Sequence, residues 1–97
     1  MEFIWDSEKA KSNLKKHKVS FDEAITVFYD PLARITDDPD HSIEEERLII
    51  IGYSQKSNLL FVVHVYKESE QIIRIISARK ASLRERLDFE NIVHGGY

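Results

Sequence analysis

Five cations fall within "RIISARKASLRER", residues 74 to 86, and their types and spacing point to anion chemistry. Arginine presents a planar fork that matches the oxygens of a phosphate or carboxylate, and lysine adds positive field. Arg79 and Lys80 stand just before a helix start at Ser82, where the helix dipole disfavours cations, so helix stability does not explain them. Arg74 lies inside an apolar strand and either pairs with an acid such as Glu68 or Glu70 or faces a ligand. Arg84 and Arg86, interleaved with Glu85 and Glu90, read as a solvated helix face. Other residues add proton chemistry. His64 and His17 are of the type that titrates near neutrality, Tyr66 can stack or donate a proton, and Glu46 beside Arg47 can act as a base if desolvated. Each has a plainer reading as well: His64 as a core histidine, His17 as a cap on helix carbonyls, and Glu46 and Arg47 as the start of a strand.

The elements that must position these groups follow from hydrophobic periodicity and capping. Asp6 or Ser7 caps a first helix to about Lys16, with Ala10, Leu14 and His17 on one face. In "VSFDEAITVF" the Ser20 and Glu23 spacing predicts reciprocal capping, with Val19 packing on Ala24. The buried stripe of this second helix is Phe21, Ala24, Ile25 and Phe28, and Asp30-Pro31 ends it. "LARIT" reads as an edge strand, and "DDPDHSIEEE" as an acidic loop without the glycine turn and ligand spacing of a calcium hand. "RLIIIGY", "LLFVVHVY" and "IIRIISA" are strands joined by five-residue polar links, which implies antiparallel hairpins. Ser82 and Glu85 repeat the capping spacing and open a third helix to about Val93. The predicted order is ααββββα: an α+β domain with two N-terminal helices, an antiparallel sheet of about four strands and a C-terminal helix.

Hairpin arithmetic assigns side chains to faces. With Tyr53 opposite Leu59 and Tyr66 opposite Ile72, His64 falls opposite Arg74. One face then carries His64, Tyr66 and Arg74 among Leu60, Val62, Ile72 and Ile76. The other carries Ile49, Ile51, Phe61, Val63, Ile73 and Ile75 beneath the first two helices, with Arg47 and Arg79 near its ends. A one-residue slip in any strand would reverse this assignment.

Composition bounds the function classes. Ninety-seven residues with 42% apolar content and no cysteine make one domain, residues 1 to 97, without disulfides or thiolate metal sites. The apolar runs are too short to span a bilayer, so a cytoplasmic protein without a membrane partner is expected. The net charge of -3 hides a segregation: residues 21 to 46 hold one basic group against nine acids, whereas the segments on either side are net basic. A basic side fit for a polyanion thus adjoins an acidic one.

"WDSEKAKSNLKKHKVSFDEA", "DPLARITDD", "EERLIIIGYS" and "IRIISARKASLRER" resemble, in order and spacing, the segments that mark the BrnT toxins of bacterial type II toxin-antitoxin systems. The resemblance runs from Trp5 to Phe89. It implies a RelE-like fold, RNA cleavage that arrests translation, and a hetero-oligomer with a neighbouring antitoxin whose ribbon-helix-helix domain binds DNA, so that DNA is met only through the antitoxin. Two positions depart from the pattern: Ser69 where many relatives have Arg, and Lys18 where many have Gly. The second predicts a strained lysine at a helix end. Cleavage at a 2′-hydroxyl without metal or cofactor needs a proton acceptor, cations on the phosphate and a donor for the leaving oxygen. The candidate catalytic groups are Arg79, Arg74, His64, Tyr66 and Glu46, and the candidate RNA-binding groups are Lys80, Arg47 and His17. The acidic loop would face a basic antitoxin segment. A non-catalytic module of the same fold, acting as co-repressor with the antitoxin, is the alternative.

Overall fold

The computed structural model describes residues 1–39, 46–67 and 71–95. Most of the acidic loop, Ser69 and the proposed Arg74 partners Glu68 and Glu70 lie outside them. Strands β1 (Glu2–Ile4), β2 (Arg34–Asp37), β3 (Leu48–Tyr53), β4 (Leu59–Lys67) and β5 (Ile72–Lys80) form one sheet in the order β1-β5-β4-β3-β2. Helices α1 (Ser7–His17) and α2 (Phe21–Thr26) precede β2, a 3₁₀ turn continues α2 through Val27–Tyr29, and α3 (Leu83–Val93) follows β5.

The class is α+β as expected, but the sheet has five strands and is mixed. The added strand is β1, which pairs in parallel with β5, Phe3 beside Ile73. Three residues carry too little periodicity to announce a strand. β2 is the expected edge strand, antiparallel to β3.

Capping holds the helices as the sequence predicts. Asp6 accepts from the Glu8 and Lys9 amides, and Ser20 accepts from the Glu23 amide. At α3 the reciprocal pair is complete, the Glu85 amide donating to Ser82 Oγ and the Ser82 amide to the Glu85 carboxylate. Glu23 departs from that pattern. Its buried carboxylate turns to the β3–β4 link, accepting from Ser54 Oγ at 2.6 Å and Asn58 Nδ2 at 2.8 Å. Burial alone would push this carboxyl up, but those two hydrogen bonds, with Lys56 and Lys80 nearby, hold it below its ordinary value. Lys18 ends α1 at φ 61°, the left-handed conformation that its lysine was expected to strain.

The core lies between the sheet and the first two helices: Val19, Phe21, Ala24 and Val27 pack on Ile50, Leu60, Val62, Ile73, Ile75 and Ala78. The expected face of α1 is corrected. Leu14 is exposed, and the buried residue of the helix is Asn13. Its Nδ2 donates to the Ala78 and Val19 carbonyls at 2.8 and 2.9 Å, while its Oδ1 accepts from the Ala78 amide at 3.0 Å. Beyond the end of β1, one side-chain amide therefore satisfies the edge of β5 that a further strand would have paired.

Candidate functional site

The register of β4 and β5 decides which charged groups meet. Tyr53 lies opposite Leu59 as expected, but a β-bulge at Val63/His64 leaves Ile76 of β5 without a partner. At the turn end of the hairpin Lys67, not Tyr66, pairs with Ile72, so Tyr66 faces Ile73 and His64 faces Ile75 rather than Arg74. The expected faces are corrected accordingly. His64 and Tyr66 sit on the helix-covered face with Ile50, Leu60, Val62, Ile73 and Ile75, whereas Ile49, Ile51, Phe61 and Val63 lie on the opposite face.

His64 is wholly buried, its ring 4.9 Å from Phe28 and 5.3 Å from Tyr66. Burial pushes its imidazole below the ordinary value, against the smaller opposing effect of the Val62 carbonyl 3.3 Å from Nδ1. A neutral ring inside the core has no path to a substrate on the other side of the sheet. The plain core reading of this histidine fits its surroundings, and half-buried Tyr66 shares its face.

The arginines converge on that other face. Arg79 lies opposite Phe61, which lies opposite Ile51, which lies opposite Arg34. Arg74 lies opposite Val65. The β2–β3 ladder reaches Arg47, whose carbonyl accepts from the Asp38 amide at 3.1 Å, and this places Arg47 on the other flank of Val65. Two strand spacings separate Arg47 from Arg74, roughly 10 Å. Arg34, on the edge strand, escaped notice in the sequence because its weak alternation left its facing undefined.

Arg79 is tightly constrained. Its two terminal nitrogens donate to the two Glu85 oxygens at 2.8 and 2.9 Å, and its guanidinium carbon lies 4.0 Å from the Phe61 ring centre. These forked bonds hold the Glu85 carboxyl at about 2 and keep Arg79 more firmly charged. A carboxyl held so low is a poor base at neutral pH.

The remaining candidates stand apart. Lys80 is exposed at the end of β5, opposite Leu60, and Glu46 is exposed just before Arg47. His17 is half-buried at the end of α1, in a pocket with Lys9, Lys16 and Ser77 that single-residue reading of the sequence missed. The signal was there in "EKAKSNLKKH": Lys9, Asn13, Lys16 and His17 recur at helical spacing on one face.

The arrangement is thus a five-stranded sheet with two helices on one face and arginines on the other. A family model described as the ribonuclease toxin BrnT of type II toxin-antitoxin systems matches residues 5–85. The chain belongs to the BrnT family. Among solved structures it is similar to the Brucella abortus ribonuclease toxin BrnT, determined at 1.1 Å, with 26% identity and a TM-score of 0.64. That match covers 84% of this chain and 97% of the Brucella chain. No curated protein matches the chain. BrnT membership implies ribonuclease toxin function and an antitoxin partner. Among the described residues, no helix is long and apolar enough to cross a membrane.

Proposed function

We propose that this chain cleaves RNA without a metal ion, arrests translation in the cytoplasm, and is neutralised by a cognate antitoxin with a ribbon-helix-helix DNA-binding domain. The observation that carries the reading is the convergence of Arg47, Arg74 and Arg79 on the sheet face left open by α1 and α2, in a chain of a ribonuclease family. Arg74 and Arg47 flank Val65 and hold the scissile phosphate between them. Arg79, stacked on Phe61, steadies an adjoining phosphate. The 2′-hydroxyl attacks the phosphorus as its proton passes to a base, and the 5′ oxygen leaves with a proton, giving a cyclic phosphate. Glu46, exposed beside Arg47, is the nearest carboxylate in sequence to that pair, and His17 extends the positive margin.

A second reading, a non-catalytic co-repressor module, is favoured by one specific observation: Glu85 already fills the Arg79 fork. Cleavage of a defined RNA in EDTA by the antitoxin-free protein separates the two. The enzyme reading expects cleavage by the parent and at least a hundredfold loss in Arg74→Ala, on the order of one lost transition-state donor. Absence of cleavage, and of growth arrest when the folded chain is expressed alone, would leave the module.

A further inference from the structure

We infer that the pocket between α1 and β5 binds a backbone phosphate of the RNA, a site separate from the arginines and resting on the ribonuclease reading. The pocket measures about 200 Å³ and is lined by Lys9, Ser12, Lys16, His17 and Ser77, with Asn13 and Ile76 at its base. Two ammonium groups, two hydroxyls and an imidazole are donors suited to phosphate oxygens. Among the described residues no carboxylate lines it, and no Phe, Tyr or Trp on which a base could stack.

Among the described residues its charge is uncompensated. Lys11 on the same helix pairs with Glu8 at 3.8 Å, and Arg79 pairs with Glu85. Lys9, Lys16 and His17 make no ion pair with any described residue. Helix electrostatics account for only part of the cluster. Lys16 and His17 in the last turn of α1 answer its carbonyl end, but Lys9 sits in the first turn, where a cation is disfavoured. A ligand in the pocket explains all three.

The geometry is also built rather than incidental. Asn13 lies in the middle of the basic stripe and is fixed to Ala78 by two hydrogen bonds, which sets Lys9 on one side of it and Lys16 and His17 on the other. The bulge brings Ile76 and Ser77 together into the pocket wall. Ser77 lies opposite Val63, on the arginine face and between Arg74 and Arg79 in sequence, so the pocket opens at the margin of that face. A strand of RNA held across the arginines would place its next phosphates there.

The test uses the full chain and an uncleavable probe, a short fully 2′-O-methylated oligonucleotide, with binding read against salt and RNA cleavage read in parallel. Lys9 and Lys16 are exposed, so the double variant Lys9→Gln/Lys16→Gln is expected to fold as the parent does, which circular dichroism checks. Its affinity should fall about tenfold or more, as expected for losing a charge-assisted bond. The dependence of log affinity on log salt should flatten by roughly 0.7 for the phosphate released. Parent-like affinity and salt slope in the double variant overturn the pocket while continued cleavage keeps the ribonuclease reading. Weakened binding in the variant, with a parent that binds but never cleaves, upholds the pocket and removes that reading. A parent that binds no oligonucleotide overturns the pocket, as does a variant that binds RNA normally but escapes its antitoxin, which would assign the pocket to the protein partner.

Discussion

Arg79 and Glu85 close a two-bond fork at 2.8 and 2.9 Å that ties the last strand to the first turn of the helix after it. Phe61 lies beneath the guanidinium, so β4, β5 and α3 meet at one side chain. Phe89 is the one buried residue of α3, and this fork is therefore a large part of what docks the helix.

The fork makes stability depend on acid. Glu85 is held at about 2 against an ordinary 4.5, so its contribution is complete above 4.5 and is lost as pH falls toward 2. Glu85→Gln should start lower and decline less over that window. The pair is partly exposed and screened, so the loss near neutrality is about 1 kcal/mol, or roughly 4–8 °C in melting temperature. Parallel melting curves of parent and variant would fail to support the fork's role if the curves kept a constant offset down to the lowest pH.

Asn13→Ala strands the Ala78 amide and the Ala78 and Val19 carbonyls at a buried edge. At about 1–3 kcal/mol per buried unpaired group, partly relieved by entering water, a total loss of about 3 kcal/mol is expected in urea unfolding. Asn13→Asp should be no better, because a carboxylate can accept from Ala78 but cannot donate to either carbonyl. A variant within roughly 0.5 kcal/mol of the parent, the size of an ordinary surface change, would rule out this anchoring role.

Lys18→Gly removes the side chain from a residue at φ 61°. The relief of about 1–2 kcal/mol is set against about 0.5–1 kcal/mol of extra freedom in the unfolded chain. A net gain of about 0.5 kcal/mol should appear as a melting temperature higher by a few degrees. A lower melting temperature would show that Lys18 gains more from its surroundings than its backbone loses.

His64→Phe tests the buried histidine through pH. The folded ring resists protonation, so the unfolded chain takes up the proton more readily, and stability is lost as pH falls below the ordinary 6.5. A phenyl ring between Phe28 and Tyr66 should flatten that part of the stability profile and leave RNA cleavage in place. Loss of cleavage by a folded His64→Phe variant, if the parent cleaves, would return His64 to the catalytic candidates.

Local chemistry was the legible part of this chain. Ser20, Ser82 and Asp6 announced their helices because a cap is decided within a few residues. The β3–β4 hairpin was legible for the same reason, its register following from the short link between Tyr53 and Leu59. What stayed hidden depends on partners distant in sequence. β1 exists only because β5 offers an edge to it, and Asn13 is buried because Ala78 has no strand on its β1 side. The β4–β5 register escaped at two points: Lys67 pairs with Ile72 at the turn, and a bulge further along adds a residue without any Gly or Pro to mark it. The shift at the turn moved His64 away from Arg74, and the bulge then left Arg79 on the same face as Arg74. The Arg79 partner was three residues past Ser82 in plain view, but its capping role concealed its second one.

The bulge also settles a question of parity. Arg74 and Arg79 are separated by an odd number of positions, and in an unbroken strand odd separations send side chains to opposite sides of the sheet. The extra residue at Ile76 converts odd to even. Without it, one of the two guanidiniums would be driven into the space that Ile75 or Ala78 now fills, so the irregularity that spoils the strand's alternation is what allows two arginines of one strand to serve the same side.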